Sequence, residues 1–113
     1  DLVRNTAIPC AEDEQDLSKV VVDMDLYAAI CEGYMNEVGS SLTTREVELL
    51  PFAPRVLAFV LGTRFLTDFL NGDTYFRIHR PEHNLERART QFAVVEAMER
   101  SESRMSEILQ ALR

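Results

Sequence analysis

The chain reads as an all-α protein, a small antiparallel helical bundle. Three observations predict it. Apolar residues recur at spacings of three and four over most of its 113 residues, the period of an amphipathic helix. Helix start and stop signals bracket these stretches. No pair of alternating apolar and polar runs is joined by a hairpin turn, so no strand pairing is expected.

Residues 1–22 read as an irregular N-terminal segment. DLVRNTAIP has no period, and AEDEQD is an acidic patch expected to face solvent. Asp23 or Asp25 can cap a first helix over roughly Met24–Val38, whose stripe is Tyr27, Ile30, Cys31, Tyr34, Met35 and Val38. Gly39 supplies the stop. Thr43 and Glu46 match a capping box, so a short helix over Thr44–Leu50 comes next.

The densest apolar run opens after Pro54, which suits a first helical turn. Val56–Leu61, Phe65, Leu66, Phe69 and Leu70 leave almost no polar side, as expected of a helix buried at the centre of a domain. Asn71-Gly72 ends it. DTYFRIHRPEH is a connector with an extended TYFRI piece. Asn84 then caps the last long helix, with Leu85, Ala88, Phe92, Val95 and Met98 on one face. Ser101-Glu-Ser103 interrupts it, and Met105, Ile108, Leu109 and Leu112 resume the stripe. The bundle thus holds four or five helices with short loops, forming one domain over 1–113.

Composition narrows the function. A net charge of −7 argues against nucleic acid as the main partner, because phosphate binding needs a basic surface. No apolar run reaches membrane-spanning length. The first residues lack the apolar core of a secretory signal. Cys10 and Cys31 are too few for a disulfide framework, which points to a reducing, cytoplasmic setting. A start on Asp1 suggests a piece of something longer.

No nucleophile elbow, phosphate-binding glycine loop or C-x-x-C motif occurs. His79 and His83 are four apart, but Pro81 between them prevents one regular helix from presenting both to a metal. The informative charges are Arg64 and Asp68, spaced i, i+4 inside the apolar run. A buried Arg is costly unless paired. Either the two form a structural ion pair with Tyr75 at the edge of the core, or Arg64 and Asp68 face a ligand together with Tyr75. The guanidinium fork suits carboxylate, carbonyl or sugar oxygens, and the tyrosine ring can stack on an apolar ring face.

Several stretches resemble a known family. Asp1-Leu-Val-Arg4, Asn5-Thr6 and AEDEQDLSKV are similar to the segment just after the DFGD motif in a branch of the aminoglycoside phosphotransferase/choline kinase superfamily. GYMNEVGSSLT, ELLPFAPRVLAFVLGTRFLTDFLNGDTYFRI and RPEHNLERARTQFAVVE resemble the end of the same enzymes. The branch is the one that contains N-acetylhexosamine 1-kinases.

The resemblance implies the helical C-terminal part of a kinase-like fold, acting with a missing N-terminal lobe. It implies ATP and Mg²⁺ in the parent enzyme, with the catalytic Asp and the metal-binding acid upstream of Asp1 and no catalytic residue in this chain. Asp1 matches the last acid of DFGD. It further implies a small-molecule acceptor, a sugar or amino alcohol, with Arg64 and Tyr75 matching an Arg and a Tyr that contact the sugar. The Trp contact of those kinases has no counterpart, since the chain has no Trp. The alternative expectation is a non-enzymatic helical interaction module, dimerising through its apolar faces. In either case the isolated chain is expected to self-associate.

Overall fold

A computed structural model describes all 113 residues. Six α-helices and two short 3-10 turns make up 69% of the chain and no strand is present, so the fold is all-α. The helices are α1 (Leu2–Thr6), α2 (Met24–Val38), α3 (Thr44–Leu49), α4 (Ala53–Leu70), α5 (His83–Arg100) and α6 (Glu102–Ala111). One 3-10 turn, Leu17–Lys19, precedes α2, and the other, Gly39–Ser41, succeeds it.

The segment before residue 23 carries more order than its sequence suggests. Alongside α1 and the 3-10 turn, it buries Ala7, Ile8 and Val20 completely or nearly so. The Asp23 carboxylate caps α2 by accepting from the Asp25 and Leu26 N–H groups. Gly39 is not a left-handed stop. Its φ is −57°, and the chain runs on into the second 3-10 turn. The Thr43–Glu46 capping box is present in both directions.

α4 departs most from expectation. It buries only one stripe, Pro54, Ala58, Gly62, Phe65 and Asp68. Val56, Leu57, Phe59 and Val60 stay 40% to 57% exposed. The reason is architectural: α4 and α5 form an antiparallel hairpin, and little else packs along α4. A continuous apolar run sets how much surface a helix could bury, whereas the number of neighbours sets how much it does.

The buried core lies instead where α1, α2, α5 and α6 meet, around Tyr27, Cys31, Val94, Met98, Met105 and Leu109. α5 also turns a different face inward from the one its apolar stripe predicts. Ala88 and Met98 are buried as expected, but so are His83, Asn84, Thr90 and Gln91. The resulting molecule is elongated, 46 × 26 × 19 Å, with a radius of gyration of 15.4 Å. A compact domain of this length has a radius of gyration of about 13 Å.

Candidate functional site

The site is built at the far end of the α4–α5 hairpin, and Asp68 organises it. α4 ends in a Schellman motif. Gly72 takes a left-handed φ of 91°, its N–H bonds the Phe69 carbonyl, and the Asp73 N–H bonds the Asp68 carbonyl at 2.8 Å. Asp73 also has positive φ, 61°, a conformation that Asp tolerates better than most side chains. The two left-handed residues fold the chain back over the last turn of α4.

The Asp68 side chain then secures the returning connector. Its Oδ1 accepts from the Thr74 and Tyr75 N–H groups at 2.9 and 2.8 Å. Its Oδ2 accepts from the Phe76 N–H at 3.0 Å and from the Asn84 Nδ2 at 2.7 Å. Burial works against the charge. The hydrogen bonds from Phe76, Tyr75, Thr74 and Asn84 outweigh it and hold the carboxyl below its ordinary value of 3.8. Asn84 is fully buried and bonds Asp73 as well. It is the second residue of α5 rather than its cap. One carboxylate thus fixes the end of α4, the connector and the start of α5.

Arg64 lies one turn before Asp68, on the same side of α4. No carboxylate lies within 4.0 Å of its guanidinium, so the i, i+4 ion pair with Asp68 does not form. Nor is Arg64 buried. The connector brings two rings to it instead: the guanidinium carbon is 5.5 Å from the Tyr75 ring centre and 5.2 Å from that of Phe76. Phe76 packs on Phe65 at 4.7 Å and takes Tyr75 edge-on at 4.9 Å.

Arg64, Tyr75 and Asp68 line one open cleft of about 320 Å³ with Thr63, Thr67, Asn71, Thr74 and Phe76. All three candidate residues therefore meet, but in different states. Arg64 has every N–H donor free, Tyr75 is 73% exposed, and Asp68 has both oxygens occupied. The Thr63 and Thr67 hydroxyls donate to the Phe59 and Thr63 carbonyls at 2.9 and 2.8 Å, which leaves their lone pairs as acceptors.

A second polar cluster carries no local signal in the sequence. His83 Nδ1 accepts the His79 N–H at 3.2 Å, and its Nε2 lies 2.8 Å from Asp13 Oδ2. An occupied Nδ1 lone pair places the proton of the neutral ring on Nε2, so that nitrogen donates to Asp13. Arg80 bridges Asp13 and Glu86. Burial opposes the Asp13 charge, yet the bonds from His83 and Arg80 hold its carboxyl low. Arg80 does the same for Glu86.

Thr90 and Gln91 add bonds to the Glu14 and Glu12 carbonyls. The acidic segment is therefore strapped to α5, with Asp13 and Glu14 half-buried rather than free in solvent. His79 and His83 do not make a metal pair, because both His83 nitrogens are engaged. Only distance along the chain hides this cluster, since Asp13 and His83 are 70 residues apart.

A larger apolar cleft of about 540 Å³ opens beside α2, lined by Tyr27, Ile30, Tyr34, Leu50, Pro54 and Leu109 among others. The Tyr27 hydroxyl is buried without a hydrogen-bond partner. The neighbouring Cys31 thiol interacts with it but falls short of hydrogen-bonding geometry. Burial pushes the Cys31 thiol up, outweighing Tyr27, which leaves it a poor nucleophile.

No family model matches the chain. No helix is long and apolar enough to cross a membrane. The cleft does not fit Mg²⁺, because its one carboxylate, Asp68, has its oxygens filled by four donors.

Proposed function

We propose that this chain forms the acceptor-binding helical part of an ATP-dependent small-molecule kinase, with a hydroxyl-rich acceptor of N-acetylhexosamine type held in the Arg64–Tyr75 cleft. One observation carries the reading: a guanidinium with all its donors free sits against two aromatic rings in a preformed polar cleft. Arg64 would donate to acceptor oxygens, and the exposed Tyr75 ring would stack on the apolar face of a sugar. Asp68 acts as a positioning residue for both.

The resemblance in RFLTDFLNGDTYF supports the kinase assignment, and phosphoryl transfer itself falls to residues outside these 113. That reaction depends mainly on positioning and electrostatics, so a rigid acceptor wall is mechanistically relevant. Cationic amino alcohols suit the cleft less well than sugars, since its unengaged charge is positive.

The test supplies the protein that carries this chain with ATP, Mg²⁺ and a panel of hexosamines, other sugars and amino alcohols. Turnover of a sugar, with KM raised about tenfold or more by Arg64→Ala, is expected; a bidentate contact is worth that much. Absence of turnover with every acceptor would contradict the reading.

A helical interaction module is the second reading, favoured by the exposed Val56, Leu57, Phe59 and Val60 on α4. A concentration-dependent dimer that binds no small acceptor would support it instead.

A further inference from the structure

We infer that the acceptor carries an anionic group, a carboxylate or a phosphate, seated on Arg64. This inference rests on the acceptor-cleft reading and narrows its ligand class. Its basis is the distribution of charge at this end of the hairpin. Four arginines, Arg64, Arg77, Arg80 and Arg87, stand on or around the connector, and two of them are satisfied internally. Arg80 is paired with Asp13 and Glu86. Arg87 donates to the Arg77 carbonyl and to Asn84 Oδ1, both at 3.0 Å.

Arg64 and the exposed Arg77 spend no side-chain donor on a protein oxygen, and of these two only Arg64 lines the cleft. Its neighbour in the cleft, Asp68, stays ionised but makes no ion pair with it, because the four neutral donors around that carboxylate fill the oxygens. The aromatic contacts hold the guanidinium in place without using an N–H on an acceptor atom. The result is a fork of five donors with no carboxylate bound to it, the geometry that carboxylate and phosphate match bidentately. A carboxylate or phosphate takes two parallel N–H donors of the fork at once, which a single hydroxyl does not.

The rest of the cleft divides the ligand in two. Tyr75 offers a ring face, while the Thr63 and Thr67 lone pairs accept from hydroxyl donors. A pyranose-sized body with an acidic substituent uses both halves, whereas a neutral sugar leaves the guanidinium fork without a bidentate partner. The chain's net charge of −7 does not oppose this at close range, because exposed charges are screened beyond about 8 Å at physiological salt.

Calorimetric titration of the 113-residue chain with glucose, glucuronate, glucose 6-phosphate and inorganic phosphate tests the inference. Both acidic sugars should bind about tenfold or more tightly than glucose, and the stronger of the two identifies the preferred anion. Arg64→Ala should remove that margin, Arg64→Lys should keep part of it, and 0.5 M salt, as a rough screening level, should shrink it. Unchanged helical circular dichroism in both variants shows that the exposed Arg64 is not needed for folding.

Glucose binding as tightly as the acids, or a margin that survives Arg64→Ala, overturns the anionic class while leaving the acceptor cleft intact. Failure of every sugar to bind overturns both. Inorganic phosphate matching glucose 6-phosphate also overturns the inference, since the sugar body would then contribute nothing.

Discussion

Single side chains decide the site, and Asp68 is the most consequential. Its carboxyl is held below the ordinary 3.8, so its charge contributes stability that is present above about pH 4 and lost as pH falls through the depressed native value. Asp13 and Glu86 act in the same direction. Urea titrations over about pH 2–7 should therefore show a steep acid limb that is shallower in Asp68→Asn, which also starts less stable at neutral pH. An unchanged limb would mean that Asp68 does not hold the connector. Asn84→Ala removes three side-chain hydrogen bonds, to Asp68, Asp73 and Arg87, and should cost about 2–4 kcal/mol, read from the same titrations. Tyr27→Phe has the opposite sign. It deletes an unsatisfied buried hydroxyl, so stability should hold or rise by about 1 kcal/mol, and a loss would show that the Cys31 thiol is a real partner.

Among the elements, the α4–α5 hairpin has one contact that admits almost no substitution. A Cβ at Gly62 would lie 2.7 Å from Phe92 Cε1 and 2.9 Å from Cδ1. Alanine gains about 1 kcal/mol in helix propensity but must displace the ring, and valine must displace it further. Gly62→Val should cost about 2–3 kcal/mol, and Phe92→Leu should restore part of it in the double variant. Additive losses would place the strain elsewhere. The elements themselves are legible from local chemistry: the Asp23 cap, the Thr43–Glu46 box, the Gly72 stop and the break at Ser101. What local chemistry does not supply is rotation. Thr90 lies opposite the apolar stripe on a 3.6-residue wheel, yet it is buried because its hydroxyl bonds the distant Glu14 carbonyl. Arg64, Asp68 and Tyr75 stand out in the sequence, but the division of labour among them does not. Assigning Asp68 as anchor and Arg64 as free donor requires knowing that the connector folds back.

At the scale of the molecule, the fold is extended for its length and leaves an apolar helix face open. Its accessible surface is 6790 Å², against about 6300 Å² for a compact monomer of this mass. Sedimentation equilibrium should detect reversible self-association as concentration rises, suppressed by Phe59→Glu with helix content unchanged. A strictly monomeric chain would count against the open face as an interface.

The site lies at the connector end of the hairpin, so an occupied cleft and a covered α4 face can be separated. Whether the Asp68-anchored cleft is an acceptor site is tested most directly by a heteronuclear NMR titration of the 113-residue chain with N-acetylglucosamine. Saturable shifts confined to Arg64, Thr67, Asn71 and Thr74–Phe76, abolished by Tyr75→Ala, are the predicted result. No shift there, or shifts centred on the Tyr27–Leu109 cleft instead, would contradict it.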